Sequence, residues 1–230
     1  MYQSGEYLEK NPRWHAADSP WKAGQILKMI RKQDLRPATV CEVGCGAGEI
    51  LNHLHEQLPD TNFSGYEVSP QAFEICSAKS KERLQFTLGD LLETDKRFDL
   101  LLCIDVFEHV PNYLSFLERL REHAGHFIFH IPLDLSMLTI LRPRRLMKTR
   151  EGVGHIHMFT AEMALAVLKD TGYDVVDSFF TAGGLELEKN QRQLRTVIAN
   201  LPRRALGKIN PRLAARIFGG YSLLVLAKPR

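Results

Sequence analysis

Val40-Cys41-Glu42-Val43-Gly44-Cys45-Gly46-Ala47-Gly48-Glu49 ends a short β-branched run in three closely spaced glycines. The helical stretch Glu49 to Leu58 follows, so the segment reads as strand, tight loop, helix. Glycines permit positive φ and let a ligand come close to the backbone. The spacing is Gly-x-Gly-x-Gly, not the Gly-x-Gly-x-x-Gly of dinucleotide sites, and Glu49 stands where the third glycine would be. Carboxylates at Glu49 and Glu42 would repel a pyrophosphate placed at the helix N-terminus. They tolerate a ligand with a positive centre and an amino group.

Strand and helix alternate outward from this loop. Thr39 to Val43, Asn62 to Glu67, Leu84 to Leu88, Phe98 to Ile104 and His126 to Ile131 read as strands. Pro70 to about Lys79 and Asn112 to Glu122 read as helices. This rhythm predicts an α/β fold, a doubly wound, Rossmann-like parallel sheet with helices on both faces. Thr160 caps a helix over Ala161 to Asp170 that Gly172 ends, and strands follow at Tyr173 to Phe180 and Tyr221 to Ala227. Upstream, Trp21 to Asp34 reads as a helix with Ser19 as its cap and Pro20 in its first turn. The division expected is an N-terminal cap segment and helix over 1–36, then one domain over 37–230 with a basic helical insert at about 185–217.

Acidic residues recur at the strand ends. Glu67 closes the second strand, where a carboxylate can accept from both hydroxyls of a ribose. Asp90 follows the third in Gly89-Asp90-Leu91, and Asp105 and Val106 follow the fourth. Taken in order, Glu42 to Gly48, Glu67, Gly89-Asp90-Leu91, Phe98 to Cys103 with Glu108-His109-Val110-Pro111, and Gly154 to Thr160 resemble the class I S-adenosylmethionine-dependent methyltransferases. The resemblance covers about residues 38 to 181 and the last strand. It implies a seven-stranded sheet with the last strand antiparallel, and S-adenosylmethionine as cofactor. The residues expected to hold it are Glu42, Gly44, Cys45, Gly46, Gly48, Glu67, Val68, Asp90, Leu91, Asp105 and Val106.

Methyl transfer from a sulfonium is an in-line displacement that needs alignment more than activation. A hydroxyl acceptor gains from a general base, and His109 or His155, on loops at the carboxyl edge of the sheet, is the expected catalytic group. The expected activity is O-methylation of a small-molecule, sugar or lipid-linked acceptor. A protein that binds the cofactor without catalysis stays open, and an NAD-dependent oxidoreductase is disfavoured by Glu49. No metal is expected: Cys41, Cys45, His53 and His55 have poor spacing for zinc, and His155-x-His157 lacks a third ligand.

The 230 residues carry 30 Lys+Arg against 27 Asp+Glu, a net charge of +3 too balanced to argue for nucleic acid. From Asn190 to Arg230 there is no acid. Leu194, Val197, Ile198 and Leu201 form an apolar stripe there beside Arg192, Arg195 and Arg203, which points to a solvated surface, an anionic membrane surface or a phosphate- or nucleotide-linked acceptor as the partner. Trp14 and Trp21 read as core or lid anchors. Four cysteines, three of them in apolar or glycine-rich stretches, and no secretory pattern in Met1 to Glu6, lead to the expectation of reduced thiols in a cytoplasmic protein.

Overall fold

Along Phe98–Ile104 the side chains alternate between two buried clusters: Leu100, Leu102 and Ile104 join one, Leu101 and Cys103 the other. A strand apolar on both faces must be covered on both. The structure, a computed structural model, describes residues 16–187 and 194–230 and shows that covering. The strands are β1 (Thr39–Val43), β2 (Asn62–Glu67), β3 (Leu84–Leu88), β4 (Phe98–Ile104), β5 (Ala124–Pro132), β6 (Tyr173–Thr181) and β7 (Ser222–Pro229). They form one sheet in the order β3-β2-β1-β4-β5-β7-β6, parallel from β3 to β5, with β7 antiparallel to both β5 and β6.

One face carries α1 (Ser19–Lys32), α2 (Glu49–Gln57) and α3 (Pro70–Ser77). Ile26, Met29 and Ile30 of α1 meet Leu51 and Leu54 of α2 over Leu100, Leu102, Ile128 and Leu226. The other face carries α4 (Tyr113–Leu120), α7 (Ala161–Asp170) and α10 (Pro211–Phe218). Its centre is aromatic: the Tyr173 ring stands edge-on to Phe127 and Phe129 at 5.0 and 5.2 Å, and its hydroxyl donates to Leu117 O at 2.8 Å.

Several local expectations change. Ser19 lies inside α1, buried, and Asp18 takes the cap position without a side-chain bond. Asn112 caps α4, which stops at Leu120 and passes into a single 3-10 turn, Arg121–His123. Leu133 to Arg150, read only as apolar and then basic, folds into two short helices, α5 (Met137–Ile140) and α6 (Pro143–Val153). Ser136 starts the first with a reciprocal Ser136–Thr139 capping box. Among the described residues near the expected insert lie α8 (Gly183–Glu186), α9 (Leu194–Ile209) and α10. Trp14 and Arg192 lie outside the described residues, as do the side chains of Leu194, Arg195, Val197 and Ile198.

Strand order reverses between β1 and β4, so the loops after them diverge and open a crevice at the carboxyl edge. The glycine loop, Glu67, Asp105 and His130 all stand there.

Candidate active site

The crevice holds about 610 Å³. Its base is the glycine loop. Gly44 and Cys45 donate to Tyr66 O at 2.8 and 3.1 Å, which ties the loop to the end of β2. Glu67, 4% exposed, accepts from Gly46 N at 2.8 Å through one carboxylate oxygen and from Ser69 N at 2.7 Å through the other. One acid therefore clamps the turns after β1 and β2 together. Burial raises its pKa above the ordinary carboxylate range, and the backbone donors offset only part of that.

Glu42 is 2% exposed, lines the crevice, and has an oxygen with no hydrogen-bond partner among the described residues. Burial pushes its carboxyl well up, while Lys22 pulls the other way. A carboxyl held above its unfolded pKa makes stability fall as pH rises past that unfolded value. Glu42→Gln should leave the melting temperature unchanged near pH 4. At pH 8 it should raise it by roughly 2–4 °C, the size of ~1 kcal/mol in a chain of this length. Calorimetric scans of both proteins across that range check the sign.

Asp105 takes a left-handed φ of 54° at the end of β4. Its carboxylate meets Lys22 Nζ at 2.7 Å and His130 Nδ1 at 2.6 Å, and His130 Nε2 lies 3.0 Å from Thr181 Oγ1. Burial alone would raise the Asp105 carboxyl, but His130 and Lys22 outweigh it and hold it far below the ordinary range. Trp21 roofs the crevice: its Nε1 donates to Glu186 at 2.7 Å, and its ring edge stands over His130 at 6.2 Å.

At the far wall, His109 Nδ1 donates to Gly154 O at 2.9 Å and His155 Nδ1 to Asp134 Oδ2 at 2.6 Å, with the two ring centroids 4.9 Å apart. Glu108 beside them is buried, and burial together with Asp105 and Asp134 drives its carboxyl well up. His157 turns away, its Nε2 on Val110 O at 3.0 Å.

Of the residues expected at a cofactor, Glu42, Gly44, Cys45, Gly46, Glu67, Val68, Asp105 and Val106 line the crevice, and so do His109 and His155. Gly48, Asp90 and Leu91 do not. Gly48 (φ 75°) starts α2 with its Cα against the core: an added Cβ would lie 2.7 Å from the Phe86 ring and 2.8 Å from Cys76 Cβ. Asp90 caps the turn after β3 through Leu92 N, and Leu91 is fully buried. Cys41, Cys45, Cys76 and Cys103 are buried free thiols, and His53 and His55 lie half-buried on α2. Sequence reading missed Lys22, Asp134, Glu108 and the Gly183-Gly184 edge.

The model of a family described as a methyltransferase domain matches residues 14–178. A ubiquinone biosynthesis O-methyltransferase of Rickettsia conorii is 31% identical over 96 residues, 39% of this chain and 32% of that protein. An (S)-coclaurine N-methyltransferase of Papaver somniferum is 28% identical over 102 residues, 42% of this chain and 29% of that one. The match therefore spans about a third of the length of either relative. The structure of magnesium protoporphyrin IX methyltransferase from Synechocystis PCC 6803 with bound SAH superposes with a TM-score of 0.61 at 15% identity, covering 92% of this chain and 83% of that chain.

Proposed function

The chain belongs to the methyltransferase-domain family, and from that premise we propose that it is an S-adenosylmethionine-dependent methyltransferase acting on a hydroxyl oxygen. When bound, S-adenosylmethionine supplies a methyl group on a cationic sulfur, already electrophilic. The chain has then to bind, orient and exclude water. The observation that carries the reading is Glu42, a buried acid that lines the crevice beside the glycine loop and has one oxygen without a hydrogen-bond partner among the described residues. Such a group suits an ammonium and opposes a pyrophosphate. Gly44, Cys45 and Gly46 would pass close under the ligand, and Glu67 would accept from the ribose. Asp105 and Val106 would lie at its methionine end. Asp90 is proposed for the base on one ground: Gly89 N donates to Glu67 O at 2.9 Å, which hangs the loop after β3 beside the ribose position.

His109 and His155 stand across the crevice from the glycine loop and are the groups proposed to meet the acceptor. Oxygen is favoured over nitrogen by the O-methyltransferase relative and by the two imidazoles there, which suit a hydroxyl better than an ammonium. Calorimetry with S-adenosylmethionine, S-adenosylhomocysteine and NAD tests the cofactor: one-to-one binding of the first two and none of NAD is expected. Failure of both sulfur nucleosides to bind at millimolar concentration ends the proposal. Turnover on matched phenol and aniline acceptors then decides the atom.

A lipid-borne acceptor is favoured by one surface. Met137, Ile140, Leu141 and Met147 are exposed on α5 and α6 and around the link between them, Leu141 at 70%. They stand among Arg142, Arg144, Arg145, Lys148 and Arg150 with no acid from Leu135 to Arg150. Val153 of α6 and Pro132 line the crevice. No helix of the described residues is long and apolar enough to cross a membrane. Flotation with phosphatidylglycerol vesicles should carry the protein, and Ile140→Asp with Leu141→Asp should cut the bound fraction about tenfold or more, since burying two charges offsets the apolar gain. Equal flotation of wild type and the double variant would remove this reading.

A further inference from the structure

Two loops bring three metal-type donors together at the wall of the crevice. Glu108 and His109 lie in the 3-10 turn Phe107–His109 after β4, and His155 follows α6. The loops are stitched by backbone: Ile156 N and His157 N both donate to Glu108 O at 3.0 Å. One ligand atom from each of Glu108, His109 and His155 lies within 4.8 Å of the other two, and His109 Nε2 is 4.0 Å from Glu108 Oε1.

The protonation pattern is set by what surrounds the rings. His155 gives its Nδ1 proton to the Asp134 carboxylate at 2.6 Å, and His109 gives its own to the Gly154 carbonyl at 2.9 Å. In each neutral ring the lone pair is then on Nε2. A carboxylate or carbonyl behind Nδ1 is the arrangement that orients a metal-bound histidine. Glu108 is 1% exposed, and neither of its carboxylate oxygens has a hydrogen-bond partner among the described residues. A buried carboxyl facing two imidazoles without any donor is costly unless something cationic completes it.

We infer that Glu108, His109 and His155 bind one divalent transition-metal ion at the wall of the crevice. Two imidazole nitrogens and one carboxylate oxygen suit Zn²⁺, Fe²⁺ or Co²⁺, whereas Mg²⁺ and Ca²⁺ favour oxygen sets. The three atoms would have to close around the ion to reach bonds of about 2.0–2.2 Å. Three protein ligands leave a position open, and His109 and His155 line the crevice, so that position faces it. An acceptor oxygen fits there, held and oriented by the ion. That role rests on the methyl-transfer reading; the binding of the ion does not. The pair weighed from sequence, His155 with His157, is not the one the fold makes.

The full chain, stripped with chelator, is titrated with Co²⁺ and followed by its visible d–d absorption. One equivalent should bind, displaced by Zn²⁺. His109→Ala and His155→Ala should each weaken Co²⁺ at least tenfold. Asp134→Asn should do so by about 10–100-fold. His53→Ala, remote on α2, should change nothing. Circular dichroism confirms the fold of each variant, and S-adenosylmethionine binding is measured on the same samples. Absence of saturable Co²⁺ uptake, or uptake indifferent to both His109→Ala and His155→Ala, overturns the site. Uptake of Co²⁺ without cofactor binding supports the ion site and sinks the methyl-transfer reading. Cofactor binding without uptake does the reverse.

Discussion

Glu67→Gln lowers the affinity for S-adenosylmethionine by about 100-fold, or ~2.7 kcal/mol. The carboxylate has two jobs at once. It accepts from Gly46 N and Ser69 N in the ligand-free protein, and it faces the crevice where the ribose hydroxyls would donate. An amide has one accepting oxygen and one donating nitrogen, so one of the two backbone N–H groups would face another donor. Losing hydrogen bonds to a charged acceptor costs about 1.5–3 kcal/mol each, and an unsatisfied buried donor about 1–3 more. The variant should also melt a few degrees lower. Calorimetric affinity within threefold of wild type would show that the ribose is held elsewhere.

Gly48→Ala lowers stability by about 3 kcal/mol, from left-handed strain of about 1–3 kcal/mol and overpacking of similar size. The methyl would have to enter space already held by Phe86 and Cys76, at a φ of 75°. For a chain of this length the melting temperature should fall by roughly 6–12 °C. Gly24→Ala is the control. It sits in α1 with nothing within 4 Å of an added Cβ, and the change should stabilise by about 0.5–1 kcal/mol. A Gly48→Ala protein that melts with wild type would mean the loop shifts freely.

Glycine-loop geometry and Glu67 were legible in sequence because both are local consequences of strand ends: a chain that must turn under a ligand needs glycines, and a strand's last residue points into the crevice. The near-continuous apolar run of β4 foretold two covered faces, because successive side chains of a strand point to opposite sides. The packing role of Gly48 was not legible because its neighbours, Phe86 and Cys76, come from β3 and α3, and spacing says nothing of them. Lys22 and Asp134 were missed because each earns its place through one long-range partner, Asp105 and His155. Asp90 was read by position along the edge; the capping of its own turn, Leu92 N donating to its Oδ1, was not legible. The α5–α6 helices were hidden because Leu135 to Arg150 has an apolar start and a basic end without a buried stripe, and neither helix buries a residue.

Trp21 and Glu186, 165 positions apart, meet over the crevice. During synthesis the glycine loop and Glu67 leave the ribosome well before the Gly183 turn that completes the roof. A nascent chain halted near Asp170 would own the floor of the pocket yet lack its ceiling, so retention of a small ligand becomes a property of the finished polypeptide. Ligand capture by stalled translation intermediates of increasing length should therefore switch on late and abruptly.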